Sequence, residues 1–270
     1  MSIATDLRET PQSLFGVGRP VRDGATARMA MAVTGSAGGT AMLGVLIDDL
    51  LGVAFYDRRG DHDGIVGAEL SISYARPTGW RGPVLTAEAH IESIDDDGGL
   101  GVLQVLDADG TQLASATMWG TFVDGVSQNR TLHGAPDPAP TPPAAAAAPL
   151  DILGGTIERT ETGALLTVTG SPALANTMGK MHGGIHACGH DLVAAAAAPG
   201  MRTAALRANY FRPGSLDGEI VFEAFPVQVG RRIAVIRTEA RDATGQVCSA
   251  ATITLRREAA AAAERPAPEC

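Results

Sequence analysis

The chain has 270 residues, 45% hydrophobic and only 4% aromatic, with a formal net charge of −9. Its length allows one large or two small domains, its core is aliphatic, and its acidic balance excludes a general nucleic-acid binder, which needs a basic footprint. Three cysteines (Cys188, Cys248, Cys270) without paired spacing argue against a disulfide framework and for a reducing compartment, so a cytoplasmic location is expected.

Residues 1–20 carry Asp6 and Glu9 and no apolar core, so no signal peptide is predicted, and residues 1–24 read as a polar arm. No stretch reaches the roughly 18 apolar residues of a membrane helix. Residues 27–33 have strand character, and the glycine-rich 35–39 stretch is a predicted loop. The apolar run 41–56, interrupted only by Asp48 and Asp49, is long enough for a helix and contains no proline. Strands are predicted over 65–76, where Leu70, Ile72 and Tyr74 alternate with small residues, and over 84–94, 100–106 and 113–123. Asp95-Asp-Asp-Gly-Gly99 and Ala108-Asp-Gly110 supply the turns.

Residues 126–150, with five closely spaced prolines and an alanine run, read as a linker. The pattern then restarts. A strand over 165–169 leads to Asn176-Thr-Met-Gly-Lys-Met-His182-Gly183-Gly184-Ile-His186-Ala-Cys188-Gly-His190-Asp191 and an apolar continuation over 192–198. Strands follow over 204–212, 219–229, 233–240 and 247–255. An Ala/Glu/Pro tail, 258–270, closes the chain.

Two internal matches expose a repeat. Leu70-Ser-Ile-Ser-Tyr74-Ala-Arg76-Pro77 corresponds to Leu206-Arg-Ala-Asn-Tyr210-Phe-Arg212-Pro213, an offset of 136. Gln112-Leu-Ala-Ser115 corresponds to Gln246-Val-Cys-Ser249. A helix followed by a meander, twice, is an α+β plan in which a sheet curls round a helix. The predicted units are residues 25–125 and 151–257.

In the second half, Gly183 and Gly184 suit a close backbone approach to a ligand, and a helix N-terminus with free N–H groups binds or polarises an anionic oxygen. The order of elements, with Asn-x5-His-Gly-Gly-x6-Asp leading into the helix and Tyr-x-Arg-Pro on the next strand, resembles the hotdog-fold acyl-CoA thioesterases, the phenylacetate-pathway-like branch most closely. The resemblance implies a double hotdog with a degenerate first motif. Asp48 falls on the motif carboxylate, while Gly39, Thr40 and Ala41 stand where the second half has His182, Gly183 and Gly184, and Val33 stands in the place of Asn176.

Gly183 and Asp191 lie eight residues apart, about 12 Å along one helix at roughly 1.5 Å per residue, so one thioester carbonyl cannot touch both. The carboxylate must come from a second helix. One complete site is therefore expected from Asn176, His182 and Gly183 with Asp48, for which Asp49 is the competitor. A second, built on Asp191, lacks Asn and His and is expected to have decayed.

The resemblance implies that the Gly183 N–H stabilises the oxyanion and that His182 orients the loop or carbonyl. Asn176 positions water or thioester, and Asp48 acts as general base or as nucleophile, a choice left open. Gly184, Thr203, Arg212, Arg231 and Arg232 are the expected substrate-binding residues, the arginines toward coenzyme A phosphates. No metal or other cofactor is expected. The His182, His186 and His190 spacing would suit a metal, but packed histidines are the favoured reading, and Cys188 reads as a small buried hydrophobe. The expected activity is acyl-CoA hydrolysis by a homo-oligomer of two or three chains, without nucleic-acid or membrane partners. A non-catalytic acyl-CoA-binding or regulatory hotdog is the alternative, and no Asp-x4-His hydratase loop is present.

Overall fold

The computed structural model describes residues 9–33, 39–76, 79–126 and 147–257. Loop residues 35–38, Pro77, most of the Pro/Ala linker (127–146) and the 258–270 tail lie outside the described residues. The first half contributes β1 (Val21–Asp23), β2 (Thr26–Ala32), β3 (Gly64–Tyr74), β4 (Val84–Ile94), β5 (Gly98–Leu106) and β6 (Gln112–Val123). The second contributes β7 (Gly155–Arg159), β8 (Ala164–Thr169), β9 (Arg202–Tyr210), β10 (Glu219–Val229), β11 (Ile233–Arg241) and β12 (Val247–Arg256). All twelve join in one antiparallel sheet, ordered β1-β2-β4-β5-β6-β3-β9-β12-β11-β10-β8-β7.

The halves meet where β3 pairs with β9, and Ser71 faces Arg207 in that register. These residues are 136 apart, the offset that relates Tyr74 to Tyr210, so a pseudo-twofold axis passes through the pair. The repeat seen in the sequence is thus the symmetry of the sheet.

Each half wraps one long helix. α1 (Pro11–Leu14) is a single capped turn. α2 (Leu43–Tyr56), entered through a 3-10 turn at Thr40–Met42, is the first-half helix. α3 (Pro149–Ile152) leads into β7, and α4 (Gly183–Ala197) is the second-half helix. Leu43, Leu46, Ile47, Leu50, Leu51 and Phe55 of α2 are fully buried, because this helix packs on its own sheet with one face and on α4 with the other. α2 and α4 run antiparallel, since Gly44 lies against Gly184 while Asp48 reaches the start of α4 and Thr40 reaches Asp191. A Cβ on Gly44 would sit 2.6 Å from the Gly184 carbonyl oxygen, and one on Gly184 would sit 2.5 Å from that of Gly44. Two glycines therefore set how near the helices come, and nearness is what lets a side chain of one complete a site on the other.

One expectation is corrected. Residues 9–24 are no free arm: Phe15 is fully buried, Val17 bridges to Met31, and β1 pairs with β2. Two apolar residues in a polar stretch suffice to anchor it, because burying one large side chain is worth about 1.5–3 kcal/mol. β7 was not anticipated, since a mostly exposed edge strand carries no apolar alternation. Among the described residues, no helix is long and apolar enough to cross a membrane.

Candidate active site

The start of α4 is built by its own sequence. His182 is extended (φ −63°, ψ 136°) and stands at the N-cap position of the helix, its Nδ1 lying 3.0 Å from the Gly184 N. The same N–H lies 2.9 Å from Asp48 Oδ2, which reaches across from α2. His182 Nδ1 is 3.1 Å from Asp48 Oδ2, and its Nε2 is 3.7 Å from Asp49 Oδ1. A lone pair on Nδ1 facing an ionised Oδ2 at that distance would be repulsive, so a proton lies between them and the Gly184 N–H belongs to Asp48.

The electrostatics agree. Burial pushes His182 down, but Asp49 and Asp48 outweigh it and the imidazole ends above its ordinary value. Burial raises Asp48, Asp49 raises it further, and His182 and the Gly184 N–H only partly offset this, so its pKa stays above the usual carboxylate range. The arrangement is an Nδ1–H imidazole set between the Asp48 and Asp49 side chains.

Gly183 is the first residue of the helix, and its N–H has no hydrogen-bond partner among the described residues. The Asp48 carboxylate packs directly against it: a Cβ on Gly183 would sit 2.7 Å from Oδ1 and 2.9 Å from Oδ2. A free amide donor and a carboxylate thus occupy one spot, contributed by different halves. They open on a cavity of about 1150 Å³ lined from both halves, with Arg19, Arg22, Arg59, Lys180 and Arg212 in its wall. Arg22 is paired with Asp57.

The other expected residues fall in different places. Asn176 lines this cavity, but its side-chain oxygen accepts from the Met178 and Lys180 N–H groups at 2.9 and 3.0 Å and so shapes its own loop. Asp49 lines the cavity too, held by Gln12 Nε2 at 2.9 Å. Arg212 is at the wall and bonds Gln246. Arg231 and Arg232 do not line the cavity. They occupy the turn after β10, whose 11 residues span about 35 Å at roughly 3.3 Å each, while the cavity lies near the β10 start at Gly214.

Thr203 is also away from this cavity. Its hydroxyl, with that of Thr40 at 2.5 Å, donates to Asp191 at the pseudo-symmetric position. Asp191 is buried, and only a cavity of about 120 Å³ lies beside it. Burial pushes this carboxyl up, while Thr203 and Thr40 hold it down. By the strand offset of 136, Thr203 corresponds to Gly67, where a Cβ would meet nothing nearer than Met118 Sδ at 3.5 Å. Gly67 lines the large cavity, whereas the Thr203 side chain stands in the wall of the small one.

Two site residues escaped sequence reasoning. Tyr210, given no role at the expected site, donates its hydroxyl to the Gly183 carbonyl at 3.1 Å and lines the cavity. Its repetition as Tyr74, which lies near Asp191, was the available signal. Gln12 had no signal, being a lone polar residue in a stretch without periodicity. Cys188 is fully buried, and burial raises its thiol well above the ordinary value. Among the described residues, no group of three or more His, Cys, Asp or Glu side chains is arranged to hold a metal ion.

His186 and His190 are both buried, and His186 also borders the large cavity. Burial lowers His186 from 6.5 to about 4 and takes His190 well below 6.5. A buried base with a depressed folded pKa stabilises the fold above its unfolded pKa, and that contribution is lost as pH falls toward the folded value. His186 alone should withdraw about 3 kcal/mol between pH 7 and pH 4. Urea denaturation across that range is expected to show the loss, and His186→Leu is expected to flatten it.

Residues 178–249 match the family model described as Thioesterase superfamily. No curated protein matches the chain. Among solved structures, the chain is similar to the tesB protein of Mycobacterium avium subs paratuberculosis, with 12% identity over 92% of this chain and 98% of that one and a TM-score of 0.60. It is similar to an acyl-ACP thioesterase from Bacteroides thetaiotaomicron, with 14% identity over 86% and 98% and a TM-score of 0.55. It is also similar to a conserved protein of unknown function with a hot dog fold from Alicyclobacillus acidocaldarius, with 12% identity over 93% and 98% and a TM-score of 0.56. At these identities the likeness is one of fold: two hotdogs in one chain.

Proposed function

We propose that this double-hotdog chain, whose residues 178–249 match the Thioesterase superfamily model, is a thioester hydrolase that acts on acyl-CoA at one composite site, with Gly183 and His182 from the second half and Asp48 from the first. The observation that carries this reading is the Asp48 carboxylate lying against Gly183, whose N–H is free, in the wall of a cavity large enough for an acyl-pantetheine group. The thioester oxygen binds the Gly183 N–H, which needs no reorganisation as negative charge develops. Asp48 then takes a proton from an attacking water or attacks the carbonyl itself. His182 keeps Asp48 ionised, Asp49 holds His182, and Tyr210 fixes the first turn of α4 through the Gly183 carbonyl. Asn176 keeps the 176–180 loop in shape beside the reacting group. The cations in the cavity wall favour an anionic carrier such as coenzyme A. A carboxylate and an amide suffice for this chemistry, so the reaction as proposed uses no metal or further cofactor.

The alternative, a non-catalytic acyl-CoA binder, draws support only from the second site, where two hydroxyls occupy Asp191. Thiol release from a panel of acyl-CoAs separates the two readings: the hydrolase releases thiol catalytically, and the binder releases none. The pH profile adds a finer check. Asp48 must be ionised, so the rate should rise with pH through a pKa above the usual carboxylate range. Because the His182 charge lowers that pKa, His182→Gln is expected to move the rising limb to higher pH. An unmoved limb would remove His182 from this role. Assembly into dimers or trimers of double-hotdog chains belongs to the same proposal and is read by sedimentation.

A further inference from the structure

The second half buries a polar chain that the first half does without. His186 Nδ1 lies 2.8 Å from Ser249 Oγ, Ser249 Oγ lies 2.9 Å from His190 Nε2, and His190 Nδ1 lies 2.7 Å from Thr238 Oγ1. All four residues are buried. By the helix offset that relates Asp191 to Asp48, the first-half counterparts of His186 and His190 are Leu43 and Ile47, both fully buried. The fold therefore closes around aliphatic side chains at these positions, and two imidazoles there carry a desolvation cost.

The chain of bonds has a direction. Thr238 has one hydroxyl proton, and its two acceptors are His190 Nδ1 at 2.7 Å and the Ala251 carbonyl at 3.5 Å, the latter at the limit of a hydrogen bond. With the proton on the shorter bond, Thr238 donates to His190 Nδ1, His190 donates from Nε2 to Ser249, and Ser249 donates to His186 Nδ1. Neutral His186 then carries its proton on Nε2. That atom has no hydrogen-bond partner among the described residues, and His186 lines the large cavity beside Gly214. His186 lies three residues beyond Gly183, about 4.5 Å along the axis at roughly 1.5 Å per residue.

Resting on the thioester-hydrolysis reading, we propose that His186 is a specificity-determining residue whose Nε2–H donates to an acceptor oxygen of the substrate close to the reacting carbonyl. Two parts of a thioester can supply that oxygen: an oxo or hydroxyl group near the start of the acyl chain, or the first amide carbonyl of the pantetheine arm. Ser249, His190 and Thr238 act as positioning residues that hold the tautomer.

The test compares kcat/KM for wild type and His186→Leu on three thioesters: a saturated acyl-CoA, the 3-oxoacyl-CoA of equal length, and the saturated acyl ester of a plain alkanethiol. If the oxygen is on the acyl chain, His186→Leu loses about tenfold or more on the 3-oxo ester alone. If it is on the pantetheine arm, both CoA esters fall by that factor and the alkanethiol ester does not. His186→Gln, which keeps an N–H donor on a side chain of similar reach, should restore the preference. An equal loss on all three esters, or no loss, overturns the proposal. Should His186→Leu fold poorly, Ser249→Ala removes the orienting partner and is expected to give the same selective loss in weaker form. Nitrogen-15 spectra of histidine-labelled protein read the wiring without any turnover. The Nε2–H tautomer is expected at His186, and an Nδ1–H tautomer overturns it even if the protein hydrolyses thioesters. Wild type inert toward every thioester, with the tautomer as expected, would count against the hydrolase reading and not against the wiring.

Discussion

Asp48→Asn should lower kcat for thioester hydrolysis by about 10³-fold, while Asp191→Asn leaves it within about threefold. The two carboxylates occupy equivalent places on equivalent helices, and only their surroundings differ. Asp48 faces an unpaired amide and a large cavity, and it stands next to His182, which favours its ionised form. Asp191 spends its oxygens on Thr40 and Thr203 and faces a cavity with room for little more than a few water molecules. An asparagine at position 48 can still accept the Gly184 N–H, so the change removes the base with little change in shape. Thiol release followed with a chromogenic disulfide, under saturating acyl-CoA, measures both variants. Equal damage from the two changes would mean two working sites per chain.

Gly183→Ala is the second large effect, expected to cost about 10²-fold or more in kcat. The backbone here has ordinary helical geometry, so the need for glycine is steric. A methyl group would lie 2.7 Å from Asp48 Oδ1, and the carboxylate would have to withdraw from the spot where the thioester carbonyl sits. The amide itself survives the substitution. The loss therefore isolates the distance between donor and base, which catalysis by positioning requires to within a fraction of an ångström. Thermal unfolding should change little compared with the rate, because only a side chain, and no backbone, stands in the way. A variant with normal turnover would show that the two groups do not act on one carbonyl.

Much of this was legible in the chain, for physical reasons that can be named. The repeat of Tyr74-Ala-Arg-Pro in Tyr210-Phe-Arg-Pro announced two copies of one fold, and the register of β3 on β9 turns that offset into a symmetry axis. The eight-residue gap between Gly183 and Asp191 required a carboxylate from elsewhere, and the antiparallel α2–α4 packing brings Asp48 to the spot. What stayed hidden depends on contacts between segments far apart in the chain. Gln12 on Asp49, Thr40 and Thr203 on Asp191, and Ser249 between two histidines leave no local period and no spacing rule. Arg231 and Arg232 were drawn to the substrate by charge alone, and the length of β10 separates them from it.

Hydrolysis at a composite site requires that Gly183 of the second half and Asp48 of the first act on one carbonyl group. A crystal structure with a non-hydrolysable acyl-CoA analogue, whose sulfur is replaced by methylene, tests it most directly. The analogue carbonyl oxygen is expected about 3 Å from the Gly183 N, with the Asp48 carboxylate within reach of the carbonyl carbon and the Asp191 cavity without ligand. An analogue bound with its carbonyl at Asp191, or with Asp48 turned away from it, would rule out a shared Gly183–Asp48 site.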